Sequence, residues 1–304
     1  MKEDTTPLRF NSLSDLHRTL GLPKPLHPLV TLNDYGDINA PQETLRRSMA
    51  LDFYKVSYKM HFDGKLKYGQ HYYDFNEGGL SFVAPNQVLA GTEGELDYSG
   101  YTLLFHKDFI RNYPLGAKIR TYGFFSYALN ESLFLSDKEK KMIFSIFDNI
   151  REELSERIDD FSQDVMVAHL DLLLSYSNRF YKRQFVTRGA ANHDIIEKTD
   201  QLIEDFFDVK ETENSGYLTV EYLAGHLNVS PRYLSDMLRS LTGRSAQQHI
   251  HDKLIEKAKE YLATTNLTVS EIAYLLGFEH SQSLSRVFKK KTQLAPLEFR
   301  QSFN

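Results

Sequence analysis

The sequence predicts an α+β chain of two domains: an antiparallel β-barrel or jelly roll followed by a helical hairpin, then an all-helical domain with two helix-turn-helix motifs. Three observations lead there. Short strand-like runs crowd residues 49–107, residues 136–185 repeat apolar side chains at helical spacing, and the C-terminal third contains one helix-turn-helix pattern twice. A length of 304 residues suits about two domains. With 41% apolar and 13% aromatic residues there is material for two packed cores. The boundaries read as 1–135, 136–188 and 194–304.

The strand-like runs are Leu51–Phe62, Gln70–Phe75, Leu80–Ala84, Gln87–Leu89 and Tyr98–Lys107, punctuated by Asp63-Gly64, Glu77-Gly78-Gly79 and Pro85-Asn86. Strands so closely spaced suggest a small antiparallel barrel. Tyr54, Tyr58, Tyr72, Phe82 and Tyr101 lie among them, either as plain core or as the lining of a small-molecule effector pocket.

Ser136-Asp-Lys-Glu139 is a capping box, and Ile143, Ile146, Phe147, Ile150, Leu154 and Ile158 follow on one helical face. A second helix carries Val165, Ala168, Leu172, Tyr176 and Phe180 on one side and Met166, Leu170, Leu173 and Leu174 on another. A helix apolar on two faces must be covered twice. The expectation is that Met166, Leu170, Leu173 and Leu174 meet a second copy of the chain in a homodimer; burial in the chain's own core is the alternative. Arg188-Gly-Ala-Ala-Asn-His193 reads as a hinge, Asp194 to Val209 as a lead-in helix, and Lys210 to Gly216 as a surface loop.

The helix-turn-helix motifs span about residues 219–241 and 268–291. Leu218-Thr219-Val220 recurs as Leu267-Thr268-Val269, and Leu223-Ala224 as Ile272-Ala273, at an offset of 49; Leu234-Ser235 recurs as Leu284-Ser285 at an offset of 50. The second turn therefore holds one extra residue. Thr268 with Glu271 forms a capping box, and Thr219 is the equivalent cap. Small Ala224 and Ala273 allow the two helices of each motif to approach closely. Asn228 and Gly277 suit the left-handed conformation of a tight turn. Ser230-Pro231 then reads as a cap followed by the first residue of a new helix. Leu234, Met237, Leu238 and Leu241 face inward in one second helix, and Leu284, Val287 and Phe288 in the other. A long helix with Ile250, Leu254, Ala258, Tyr261 and Leu262 at helical spacing joins the motifs. His249 and His251, two residues apart, point to different faces of it and hold no metal.

These residues resemble the AraC/XylS family of bacterial transcription regulators over about residues 195–304. The likeness rests on Ala224, Ser230, Tyr233-Leu234-Ser235, Thr242-Gly243, Ala258, Leu262, Ile272-Ala273, Gly277-Phe278, Ser285-Arg286-Val287-Phe288-Lys289-Lys290, Pro296 and Phe299-Arg300. Leu284 stands where the family commonly has phenylalanine, Gln293 where it has glycine, Lys253 where it has arginine, and His249 where it has tyrosine or phenylalanine. The resemblance implies that the N-terminal barrel is cupin-like and regulatory, and that both recognition helices enter successive major grooves of double-stranded DNA. An unidentified small-molecule effector and RNA polymerase are expected as further partners.

Arginine and glutamine suit guanine and adenine edges, so Arg286 and Gln282 are the first base-contact candidates, then Arg232, with Ser281 beside them. Asp236 either accepts a hydrogen bond from cytosine or repels phosphates and weakens non-specific binding. Tyr233, Ser235, Arg239, Ser285, Lys289 and Lys290 are expected on the DNA backbone. Charge agrees in its distribution. Residues 217–304 carry +3 and the remainder −8, within a total of −5.

The residues also exclude chemistry. Absence of cysteine removes disulfides, thiolate metal sites and cysteine nucleophiles, and with them the methyl-acceptor repair proteins that share this DNA-binding module. His61, His71 and His106 are scattered, no His-x-His lies in the strand region, and no serine elbow, phosphate-binding loop or paired-Asp motif occurs. No enzyme activity, metal or cofactor is expected. The competing reading is a small-molecule-binding or enzymatic cupin barrel with a vestigial DNA-binding half. The N-terminus offers no apolar signal core and no run approaches the roughly 18 apolar residues of a membrane span, so a cytoplasmic protein is expected.

Overall fold

The computed structural model describes residues 6–60, 66–68, 71–73, 78–90, 99–210 and 218–302. The chain divides into two compact units between Thr187 and Arg188.

The first unit opens with β1 (Leu8–Phe10), α1 (Leu13–Leu20), β2 (Val30–Asp34), α2 (Gln42–Arg46), β3 (Met49–Leu51) and β4 (Phe53–Lys59). It continues with β5 (Leu66–Tyr68), β6 (His71–Tyr73), β7 (Gly79–Val83), β8 (Val88–Leu89) and β9 (Gly100–His106). Short helices α3 (Lys107–Ile110) and α4 (Pro114–Lys118), several 3-10 turns and β10 (Leu133–Phe134) lead to the long hairpin of α5 (Asp137–Ser155) and α6 (Ser162–Thr187).

Among the described residues the strands make an antiparallel five-stranded sheet in the order β10-β7-β4-β9-β2, a three-stranded sheet β1-β3-β8 and the ribbon β5-β6. They do not close into the expected barrel. Much of the chain between β9 and β10 is spent on short helical turns instead of strands, and β10 is only two residues long. The predicted run Leu51–Phe62 breaks at Asp52 into β3 and β4. Burial raises the pKa of the Asp52 carboxyl, but hydrogen bonds from Lys107, His106 and Asn86 and the Lys107 charge hold it below its ordinary value. Asn86 closes the predicted Pro85-Asn86 turn at φ +65°. The Asp63-Gly64 turn, Glu77 and the 211–216 part of the predicted loop lie outside the described residues.

Of the aromatic residues expected around a pocket, Tyr58 and Phe82 are buried and packed against other rings. Phe82 meets Phe124 at 4.4 Å and Tyr58 meets Phe144 at 4.8 Å, centroid to centroid. Tyr54 stacks on Phe105, and Tyr101 lies beside Phe147 with the Arg151 guanidinium 5.0 Å over its ring. Their neighbours are side chains, which is core packing. The side chain of Tyr72 lies outside the described residues.

The Ser136–Glu139 capping box forms, and Glu139 also receives the Arg183 guanidinium of α6 at 2.6 Å. The helix stops at Ser155, short of Ile158, which is 72% exposed. Asp159 accepts the backbone N–H groups of Phe161 and Ser162 and so caps α6.

Two expectations change here. Met166, Leu170, Leu173 and Leu174 are all buried inside the unit, so they are not the surface that meets a second copy. Their cover comes from α5 and from the irregular segment around β10, which periodicity does not register. The open side of α6 is the opposite one, where Val165 and Leu172 are exposed, with Phe161 just ahead of the helix. The expected hinge is also different: from Gly189 onward it is helix.

Leu170 is fully buried, so Leu170→Ala should lower unfolding stability by about 2–5 kcal/mol, read as a lower urea midpoint. A change under about 0.5 kcal/mol, the usual range for a surface site, would mean that this face is open.

Candidate nucleic-acid interface

The second unit consists of α7 (Gly189–Lys210), α8 (Val220–Leu227), α9 (Pro231–Thr242), α10 (Ala246–Thr264), α11 (Val269–Leu275), α12 (Ser281–Thr292) and α13 (Pro296–Gln301). In the first motif Thr219 Oγ1 accepts the Tyr222 N–H and starts α8. The turn is made by Asn228 at φ +55°, and the Val229 N–H returns to the Ala224 carbonyl at 3.0 Å. That bond satisfies an orphan carbonyl of the helix end. Ser230 then caps α9, with Pro231 as its first residue.

The second motif repeats this chemistry. Thr268 and Glu271 form the capping box, Gly277 turns at φ +84°, and the Phe278 N–H returns to the Ala273 carbonyl at 2.8 Å. The extra residue shows directly, since α12 begins eight residues after Ala273 and α9 seven after Ala224. Ala224 and Ala273 are both about 1% exposed, and a larger side chain at either would force the helices apart.

Leu234, Met237 and Leu238 anchor α9, while Leu284 and Phe288 anchor α12. Leu241 and Val287 are only half-buried. Tyr233, expected on the DNA backbone, is fully buried and cannot reach it. It sits two residues into α9, on the side turned toward the core.

The outward stripes of α9 and α12 align at an offset of 50, and they differ in charge. On α12 the stripe is Gln282, Arg286 and Lys289-Lys290, all exposed, with Ser281 and Ser285 half-buried at its edge. On α9 the equivalent positions hold Arg232, Asp236 and Arg239, with Ser235 half-buried beside them. Asp236 receives Arg232 Nε at 2.9 Å and lies 3.5 Å from Arg239 Nη1, so one carboxylate holds both guanidinium groups. The first stripe nets +1 by formal charge and is paired along the helix; the second carries three cations and no acid.

A second shared carboxylate fixes the two motifs to each other. Asp252 on α10 accepts Arg244, just past the end of α9, at 3.0 Å, and also pairs with Lys291 near the end of α12. Lys291, which follows the exposed Lys289-Lys290 pair, is therefore a brace. Arg300 of α13 donates to the Leu262 and Leu267 carbonyls and closes the far end of α10. Lys253 pairs with Glu204 of α7 at 3.1 Å. His249 lies 3.0 Å from the Thr242 hydroxyl and 3.6 Å from Asp200, whereas His251 lies beside Gln247. Burial first, and then the charge of Lys291, lower the His251 pKa. Gln293 takes φ +65° at the end of α12, where Gly243 ends α9 at φ +76°, so the glycine common at this place has a backbone reason.

Sequence reasoning missed the brace of Arg244, Asp252 and Lys291, placing Lys291 with the phosphate-contacting cations, because these residues meet only after three helices have packed. A helix-turn-helix domain family matches residues 223–302. Residues 223–302 are thus an AraC-type helix-turn-helix domain. Among the relatives, the HTH-type transcriptional activator RhaS of Salmonella newport is 28% identical over 162 residues, covering 52% of this chain and 55% of that one. The bifunctional transcriptional activator/DNA repair enzyme AdaA of Bacillus subtilis is 32% identical over 100 residues, covering 33% and 46%. Among solved structures, the C-terminal domain of AraT, a response regulator from Geobacillus stearothermophilus, is 33% identical with a TM-score of 0.31, covering 36% of this chain and 84% of that one. The chain spans about a third to a half of the length of the curated relatives it matches. No helix among the described residues is long and apolar enough to cross a membrane.

The Asp236 clamp makes a distinct prediction for this AraC-type domain. Asp236→Ala frees two arginines and removes a negative charge, so it should tighten binding to random-sequence duplex DNA about two- to tenfold and steepen the salt dependence by about one phosphate contact. Arg232→Ala should do little in the wild type and cancel part of that gain in the Asp236→Ala background, as a double-mutant cycle measured by fluorescence anisotropy. Additive effects would show that the pair does not restrain Arg232.

Proposed function

We propose that the protein is a sequence-specific transcription regulator whose α12 is the principal DNA-reading helix and whose α9 is a weaker second reader. The observation that carries this reading is the exposed Gln282, Arg286, Lys289 and Lys290 stripe on the second helix of a capped helix-turn-helix. Arg286 and Gln282 read base edges, with Ser281 at the margin; Lys289, Lys290 and Ser285 hold phosphates. On α9, Arg232 reads a base once released from Asp236, while Arg239 and Ser235 contact the backbone. Asp236 acts as a restraint on its arginines and not as a cytosine reader, because its oxygens are already engaged.

The first unit is read as a cupin-like, incompletely closed barrel that binds a small-molecule effector. A regulator of this kind works in the bacterial cytoplasm and, as an activator, meets RNA polymerase. The RhaS name, a transcriptional activator, supports that direction.

The test is selection of bound sequences from a random duplex library, followed by variants. Arg286→Ala should cost about 1–3 kcal/mol on the selected site and relax preference at one base position. Lys290→Ala should weaken all sequences alike and reduce the salt slope by about one. Equal, sequence-independent losses for both would remove Arg286 from base reading.

The protein acts as a homodimer through the outer side of α6. Phe161 is 70% exposed, and Val165, Ala168 and Leu172 continue the same helical stripe. Val165→Glu with Leu172→Glu should give a folded monomer by light scattering and circular dichroism. A wild type that is monomeric at micromolar concentration would overturn the dimer.

A further inference from the structure

A cleft of about 310 Å³ lies in the first unit, away from the aromatic residues singled out in the sequence. Val30 at the start of β2, Phe109 of α3, Leu154 of α5 and Met166 of α6 line it, and the turn joining α5 to α6 closes one side. Its volume is at the small end for ligand sites, and its walls are mixed, with an apolar side and a polar side of similar extent.

The charge is one-sided. Glu153, Asp159 and Asp160 line the cleft, and no lysine or arginine does. Asp159 is held ionised by the Phe161 backbone N–H first, and by the Ser162 hydroxyl and N–H, so its pKa lies below the ordinary value. Glu153 and Asp160 form no ion pair among the described residues. The one titratable nitrogen base in the lining is His27. Its Nδ1 accepts the Leu29 N–H at 3.1 Å, which leaves the proton on Nε2, and burial lowers its pKa. His27 also packs edge-on against Phe109 at 5.2 Å and is held in place. It contributes a neutral hydrogen-bond donor and no positive charge.

We propose that this cleft binds a small organic cation, an ammonium group on an apolar body. The apolar body sits on Val30, Phe109, Leu154 and Met166, and the ammonium faces Glu153 and Asp160. The proposal rests on the effector reading and gives it a place and a ligand class. An occupant there touches the start of α6, beside the Phe161 and Val165 stripe, and so is placed to change how that stripe is presented.

The test uses the full chain and isothermal titration with phenethylammonium and hexylammonium, compared with 3-phenylpropanoate, hexanoate and 2-phenylethanol. The amines should bind saturably and the carboxylates at least about tenfold more weakly. Glu153→Gln with Asp160→Asn should lower amine affinity about fivefold while leaving 2-phenylethanol unchanged. Neither side chain is in the core, so the double variant should keep the wild-type melting temperature. Equal binding of carboxylates, an unaltered amine affinity in the double variant, or no binding of any amine would overturn the assignment. Amine binding that leaves DNA affinity unchanged keeps the site and removes its regulatory role. A different compound that changes DNA affinity while amines fail to bind keeps an effector and removes this site.

Discussion

Helix α10 is the constraint on which the C-terminal unit depends. Every other helix of that unit packs against it: α7, α8 and α9 on one part of its length, and α11, α12 and α13 on another. Ile250, Leu254, Ile255, Ala258 and Leu262 are buried along it, and Ala258 is fully enclosed. A motif of two short helices cannot bury enough apolar surface to stand alone. Each one here packs on the same rod, so neither can unfold or reorient without disturbing the other. Asp252, between the buried Ile250 and Leu254 along the helix, adds a polar fastening.

The two motifs have diverged on top of this common frame. Their first-helix caps, turns and buried alanines are nearly interchangeable because backbone geometry leaves little choice, whereas Ser230 caps α9 and, among the described residues, no side chain caps α12. Their outward stripes are free of that demand and have moved apart in charge, with Asp236 standing where the other helix has Arg286. Electrostatic attraction to a polyanion is long-ranged and sequence-blind, whereas hydrogen bonds to base edges are short-ranged and selective. A helix whose arginines are held by a neighbouring carboxylate gives up part of the first, and on the proposed reading reaches base edges only once they are released. On the proposed reading, the unlike stripes divide labour within one domain.

What could be read in the sequence was what is local. Thr219, Ser230, Thr268 and Glu271 cap helices through atoms at most three residues apart, and Asn228 and Gly277 declare their turns by residue type. Distant pairings were not legible: the Asp252 brace spans 39 residues to Lys291. The burial of Tyr233 was misread because an amphipathic side chain two residues into a helix can turn either way. The apolar faces of α6 were recognised, but which of them was covered depended on short helical turns between β9 and β10 that carry no period. The short strands β1, β2 and β10 were missed for the same reason: two to five residues of edge strand give too little alternation to distinguish from loop.

Rigidity at α10 has a consequence for the DNA itself. Both α9 and α12 pack on the rod, so on the proposed reading the base pairs they face lie at one fixed spacing, expected to be about one helical turn of roughly 10–10.5 base pairs. One inserted base pair turns the far half of such a site by about 35° and shifts it about 3.4 Å, more than side chains alone absorb. Spacing is then part of the sequence that is read, even where no atom of the protein touches a base. Genomic sites would be recognised by two short blocks held at constant phase, with freer composition between them.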